Sequence, residues 1–369
     1  MDAKKYNNIK LGIGISKGIV SFILILLFVL LGYSLGLETY LLKYSSNPYF
    51  LFLLFVFVTG LAGSILFFPV NYYSEFYLEH KYKLSNQSFW RWIWEDLKGV
   101  LVSGVIGIPL LLVFYYVIMK FGSLWWLPFA VILFIVSVVL ARIVPVFILP
   151  LFYKISPLEN EDLEKKIESL ANGARLKLKA VVKFNMSKNT KKANAAFTGI
   201  GKSKRILLGD TLLDSFTDDE IETVIAHELG HYYYKHIIKN IIFGTVTSFL
   251  TLYVVSVLYD VSLSWFGFTS LTQIAALPIL GLWGMLIGIV ETPIGSAISR
   301  KYEYQADNYA VQVTGKTDDF VRTLEKLNEQ NLGDKEPHPF VEWFFYSHPS
   351  IKKRIGAIRQ SYKVENSSG

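Results

Sequence analysis

The stretch Thr217-Asp-Asp-Glu-Ile-Glu-Thr-Val-Ile-Ala-His-Glu-Leu-Gly-His231 opens with a helix-start signal, Thr217 at the N-cap and Glu220 three residues on. No proline follows until beyond Tyr259, so the pattern predicts one long helix from Thr217 through Tyr259. On such a helix His227 and His231 project from one face and can share a single Zn²⁺ ion, while Glu228 sits one step around, beside the open coordination position. The flanking Val224, Ile225, Ala226, Leu229 and Gly230 are uncharged, which strengthens the H-E-x-x-H reading over two unrelated helix histidines. Glu228 is then the expected general base of metal-assisted peptide hydrolysis.

Catalytic zinc takes three protein ligands and a water. His236 is the nearest candidate for the third. The spacing that would place a third His six residues after the second, beyond a Gly turn, instead finds Ile237 and Tyr234. A Glu on a second helix is the other common solution, and Arg300-Lys-Tyr-Glu303-Tyr-Gln-Ala-Asp307 supplies one, making Glu303 the expected third ligand. Asp307, one turn on, is suited to accept the N–H of His227 and hold its tautomer. The competing explanation is a surface helix stapled by Arg300 and Glu303; Glu291, at a membrane boundary, is the rival carboxylate.

The chain has 369 residues, 52% of them hydrophobic and only 18% charged, which is too apolar for an ordinary soluble enzyme. It has no cysteine, which excludes disulfides and every Cys-ligated metal. Six charge-free runs are long enough to span a bilayer: 18–37, 44–74, 99–119, 121–141, 240–259 and 261–290. Basic residues concentrate in the termini and the even-numbered loops, so the N-terminus, the 71–98 loop, the 151–236 segment and the C-terminal tail are expected in the cytoplasm. The net charge of +7 follows from that placement and calls for no nucleic-acid partner. The 71–98 loop is rich in aromatics, among them Tyr72, Phe76, Trp90, Trp92 and Trp94, and reads as an interfacial belt or as a lid over a membrane-level chamber. His80 beside Glu79 reads as a solvated polar pair.

Between Ala180 and Leu213 the pattern turns to β-type, with strands expected around Val181 to Phe184, Ala195 to Ile200 and Arg205 to Leu208, and a Gly-rich turn through Gly201. Asn194-Ala195-Ala196-Phe197 is the expected edge along which an extended substrate adds as a strand, Asn194 bonding a substrate amide; a plain turn Asn is the bland alternative. Ser347-His348-Pro349-Ser350 leads into a basic helix bearing Arg354. His348 is either a capping neighbour of that helix or, with Arg354, a catalytic donor to the oxyanion.

Taken together, Tyr72-Tyr-Ser-Glu-Phe-Tyr-Leu-Glu-His-Lys81, Asn194-Ala-Ala-Phe197, His227-Glu-Leu-Gly-His231, Arg300-x-x-Glu303-Tyr-x-Ala-Asp307 and His348-Pro349 with Arg354 resemble the integral-membrane CAAX prenyl protease 1 type of zinc metalloprotease over most of the chain. The resemblance implies a mainly α-helical polytopic membrane protein whose helices form a barrel around a chamber, with a small α+β zincin-like catalytic domain on the cytoplasmic side. It also implies one Zn²⁺ ion on His227, His231 and Glu303, catalysis by Glu228, and substrate contact by Asn194, His348 and Arg354. The activity implied is removal of the last three residues from prenylated Cys-a-a-X proteins, with prenylated or hydrophobic peptides and the lipid bilayer as partners. The expected location is the plasma membrane of a prokaryote or the endoplasmic reticulum or nuclear membrane of a eukaryote. Eukaryotic members resemble seven-span proteins, and this chain begins at what would be their second span. The expected divisions are 1–153, four membrane helices with the 71–98 loop; 154–236, the catalytic segment; 237–297, spans five and six; and 298–369, the segment carrying the third ligand. Two other readings compete: a broad membrane-protein quality-control protease, and a zinc transporter or storage protein, which the near absence of charges within the spans disfavours.

Overall fold

The computed structural model describes residues 2–176, 178–198 and 204–367, with side chains through residue 360. Helices α1 (Ala3–Leu30), α2 (Tyr33–Leu41), α3 (Pro48–Asn71), α4 (Leu78–Lys81), α5 (Phe89–Phe121), α6 (Trp126–Ile143) and α7 (Leu149–Phe152) precede the region that carries the sheet. It comprises β1 (Ile155–Pro157), α8 (Glu161–Gly173), β2 (Ala180–Phe184), β3 (Ala195–Thr198), β4 (Arg205–Gly209), α9 (Asp210–Ser215) and α10 (Asp218–Tyr233). The chain then runs through α11 (His236–Ser262), α12 (Pro278–Thr314), α13 (Thr317–Gln330), α14 (Pro339–Phe345) and α15 (Ile351–Ser367).

Among the described residues six helical runs are long and apolar enough to cross a membrane, matching the six expected spans in number. Their limits differ from the charge-free runs for identifiable reasons. The first helix starts at Ala3 and ends at Leu30, because Gly32 turns the chain in the left-handed region at φ 73°. The expected 71–98 loop is mostly helix: α3 continues through a π-helical turn, Tyr72–Tyr77, into α4, and α5 starts at Phe89. Apolar side chains such as Ile19, Ile65, Val105 and Val246 face outward along the spans, where lipid is the solvent they suit. The spans meet each other through Phe52, Phe55, Tyr115, Ile118, Trp125 and Tyr259.

The aromatic segment divides into a packed part and an exposed part. Tyr72, Phe76, Phe89 and Trp92 interlock as a ring cluster, while Trp90 and Trp94 point outward, as an interfacial belt requires. Glu79 and His80 are not a solvated pair. Glu79 accepts from the Tyr6 hydroxyl at 2.5 Å and pairs with Lys10 at 3.0 Å and Lys192 at 3.1 Å, and the His80 ring spans the carbonyls of Phe76 and Gln87. Carboxylate, two ammonium groups and a phenol drawn together at a half-buried point fasten α1 and α4 to the segment just before β3.

The sheet has the order β1-β2-β4-β3, with β3 antiparallel to β4 and lying at the edge. β3 is described from Ala195 to Thr198, and the Gly-rich turn expected at Gly201 lies outside the described residues. Above the sheet α10 is buried on both sides. Ile221, Ile225 and Leu229 pack with Leu163, Ile167, Ile206 and Leu208, and Ala226 packs with Ala310, Val311 and Phe320. Its start is the expected capping box: Thr217 Oγ1 accepts from the Glu220 N–H and Glu220 Oε2 accepts from the Thr217 N–H. Thr217→Ala is expected to cost about 1 kcal/mol, visible as a lowered unfolding midpoint of the purified protein.

The helix expected to run through Tyr259 is broken. α10 ends at Tyr233, and Lys235 adopts the left-handed region at φ 59° before α11 begins at His236. A non-glycine residue pays roughly 1–2 kcal/mol for that conformation, so packing on either side must hold it. By contrast α12 runs unbroken from Pro278 to Thr314 through Pro293, about 55 Å at 1.5 Å per residue.

Candidate active site where two helices cross

α10 and α12 approach so closely at Gly230 that a Cβ there would lie 2.9 Å from Ala306 Cα and 3.1 Å from the Ala306 carbonyl oxygen. The missing side chain lets His227 and His231 face Glu303 across the crossing. Gly230→Ala must therefore push backbone against backbone; the expected result is a protein with at least tenfold weaker metal affinity, read by competition with a chelator.

His227 Nε2 lies 3.2 Å from His231 Nε2 and 3.5 Å from Glu303 Oε2, and His231 Nε2 lies 3.3 Å from Glu303 Oε1. These three residues are the one group of metal-ligating side chains found among the described residues. Glu303 is 3% exposed, and its Oε2 has close neighbours but no well-aimed hydrogen bond. Three basic groups face that oxygen, His348 Nδ1 at 2.9 Å and His227 Nε2 and Arg354 Nη1 each at 3.5 Å, and they keep the carboxylate ionised as a metal ligand must be. Arg300 does not staple Glu303: its guanidinium reaches away to the carbonyls of Glu342 and Tyr346.

Asp307, 2% exposed, accepts from His227 Nδ1 at 2.9 Å, as the i+4 spacing from Glu303 suggested. That bond puts the proton on Nδ1 and leaves Nε2 as the donor atom toward the cluster. Burial opposes a charge on His227, but its bonds to Asp307 and Glu303 outweigh burial and raise it to about 9.

Arg354, expected beside the oxyanion, is 8% exposed and pairs with Asp307, with Nε 2.8 Å from Oδ2 and Nη2 2.5 Å from Oδ1, while its Nη1 lies 3.5 Å from Glu303 Oε2. Two opposite charges buried in contact pair with each other before they reach outward. His348 does reach the cluster, its Nδ1 lying 2.9 Å from Glu303 Oε2 with the side chain 64% exposed. The turn that presents it is held by Arg300 and by buried Glu342, which accepts from the Ser350 N–H at 3.1 Å and pairs with Lys353 at 2.8 Å. Glu228 is half-buried, and its side chain makes no hydrogen bond among the described residues.

Asn194, Ala195, Ala196 and Phe197 form or lead into the sheet edge, and Phe197 packs against Tyr232 one residue beyond His231. Sequence did not point to what holds that edge. Asn331, just after α13, accepts from the Ala193 N–H at 2.9 Å and donates to its carbonyl at 3.1 Å, as a neighbouring strand would. Gly209, which has no room for a Cβ beside Met186, donates to the Asn194 carbonyl.

A membrane-spanning scaffold carrying a His-His-Glu group beside a sheet edge defines an integral-membrane metallopeptidase. Residues 157–362 match peptidase family M48, and residues 1–154 match the CAAX prenyl protease N-terminal domain described as five membrane helices. The chain belongs to peptidase family M48, and it is a multi-pass membrane metalloprotease. It is 35% identical over 311 residues to CAAX prenyl protease 1 of Saccharomyces cerevisiae, covering 79% of this chain and 68% of that protein. It is 33% identical over 323 residues to the uncharacterized metalloprotease YhfN of Bacillus subtilis, covering 85% and 73% respectively. The crystal structure of S. mikatae Ste24p superposes with a TM-score of 0.87 at 30% identity, covering 96% of this chain and 88% of that one.

Proposed function

We propose that the protein is a zinc endopeptidase that removes the C-terminal aaX tripeptide from prenylated Cys-a-a-X chains, with its active site on the cytoplasmic face of the membrane. The observation that carries the metal reading is a triangle of donor atoms. Ligands 2.0–2.1 Å from a tetrahedral zinc ion stand about 3.3 Å apart, and His227, His231 and Glu303 present donors 3.2, 3.3 and 3.5 Å apart. A bound Zn²⁺ supplies Lewis acidity to the scissile carbonyl and to the attacking water.

The chain's own groups do the rest. Glu228 takes the proton of the attacking water and delivers it to the departing amine nitrogen. His348 reaches the cluster from the solvent side and donates to the oxygen that gains charge in the tetrahedral intermediate. Arg354 acts through Asp307, and Asp307 through His227, so that pair positions a ligand without touching substrate. Asn194 bonds to Gly209 through its carbonyl, so by alternation Ala195 and Phe197 turn their N–H and C=O groups to the open edge. A substrate strand would pair with them and lay its scissile bond beside the metal. The aaX specificity is supported by the yeast relative, which is named CAAX prenyl protease 1, and the cytoplasmic orientation by the distribution of basic loops.

Mass spectrometry of the products from matched farnesylated and unmodified Cys-a-a-X peptides tests this reading. Lipid-dependent release of the tripeptide is expected. Cleavage at other bonds, indifferent to the lipid, would replace it with a quality-control protease, and a zinc-loaded protein that cuts neither peptide would end the protease reading.

A further inference from the structure

We infer that His236 is a positioning residue of the metal site: it fixes the tautomer and ring orientation of His231 through a hydrogen-bonded chain that ends on Gln305. This rests on the zinc reading above and adds a residue to it. His227 has its orienting partner in Asp307, but no carboxylate or carbonyl bonds the other nitrogen of His231 among the described residues. What stands there is His236, its Nδ1 3.0 Å from His231 Nδ1.

Two ring nitrogens at that distance require one proton between them, and the far side of His236 decides where it sits. His236 Nε2 lies 2.8 Å from Gln305 Oε1, an oxygen that can only accept. The proton of neutral His236 is therefore on Nε2, its Nδ1 is an acceptor, and the shared proton belongs to His231 Nδ1. That leaves His231 Nε2 unprotonated and aimed at His227 and Glu303, which is the tautomer a metal ligand needs.

The surroundings leave His236 little other freedom. It is 1% exposed, and its ring stacks on Tyr302 at 4.0 Å and on Tyr234 at 5.7 Å, with interplanar angles of 10° and 18°. The left-handed turn at Lys235 is what brings His236 back beneath His231; a continuous helix would place a residue five positions on well around the axis. A strained non-glycine residue kept at this point has a use if the turn aims a ring. Tyr302, Glu303 and Gln305 all come from one turn of α12, so the same segment supplies the ligand, the stacking surface and the end of the chain.

The test is zinc affinity of the purified full chain by competition with a chromophoric chelator, paired with the visible absorption of the Co²⁺-substituted protein. His231→Ala serves as control: if it binds zinc like wild type, the metal reading fails, and this inference with it. Given loss of binding in that control, His236→Phe, which keeps the stacked ring and removes the acceptor, is expected to bind zinc about 10–100-fold more weakly and to shift the Co²⁺ bands. His236→Asn, whose Oδ1 replaces Nδ1 as acceptor, is expected to recover most of the affinity. Wild-type affinity and an unchanged Co²⁺ spectrum in His236→Phe would overturn the inference, as would an Asn variant as weak as the Phe variant. Gln305→Leu provides a second route should His236→Phe not fold: it frees the His236 tautomer, weaker zinc binding is expected, and unchanged binding would overturn the inference.

Discussion

Replacing Glu228 by Gln is expected to leave zinc content at the wild-type level while peptide turnover falls by about 10²–10⁴-fold. The side chain lies outside the triangle of donor atoms, so its amide removes a proton acceptor without removing a ligand. It is half-buried and free of competing side-chain hydrogen bonds among the described residues, so its carboxylate is free to accept a proton. Gln has the same shape but is not basic, which separates proton transfer from packing. Zinc measured by elemental analysis beside turnover of a lipidated peptide decides the matter: full activity in the variant would remove Glu228 from the mechanism, and lost zinc would make it structural.

The second large effect is expected at Asp307. Asp307→Ala strands the Arg354 guanidinium in a buried site and takes the acceptor from His227 Nδ1. Breaking a buried pair from one side costs about 3–5 kcal/mol, and losing the partner of a ligating histidine costs about 10–100-fold in metal affinity. These two losses have different remedies. Asp307→Leu combined with Arg354→Met replaces the charge pair with apolar groups and is expected to recover most of the stability, while zinc affinity stays low because His227 still has no acceptor. Recovery of both would mean that Asp307 serves packing alone.

The metal group was legible because its residues obey short-range rules. His227, Glu228 and His231 are placed by helix periodicity, and Glu303 and Asp307 by the same periodicity on a second helix. The spans were legible as charge-free runs, since lipid tolerates few charges, but their ends were not. Gly32 stops a helix inside an apolar run, and α3 and α4 carry helix into a stretch full of charges. What sequence could not give were contacts decided by three-dimensional meeting. Lys235 carries no local signal for a left-handed turn, so His236 read as a failed third ligand rather than as the neighbour of His231. The pairing of Arg354 with Asp307 was hidden by their distance in the chain. The hold of Asn331 on Ala193 joins residues 138 apart.

The unbroken course of α12 has a mechanical consequence. One helix crosses the bilayer and carries Glu303 and Asp307 on its extension beyond Pro293. A span adjusts to bilayer thickness chiefly by tilting, and a tilt of about 10° about a point some 25 Å away displaces a rigidly attached group by roughly 4 Å. That is larger than the separation of the donor atoms themselves. His227 and His231 ride on α10, which is clamped to α12 at Gly230, so the clamp makes the donor triangle travel as a unit. The sheet edge belongs to the catalytic region and is tied to α1 and α4 through Lys192. Because Ile206, Leu208 and Phe197 of the sheet pack on α10, the strand edge is held against the cutting group, and the spacing between the two is set within this part of the molecule.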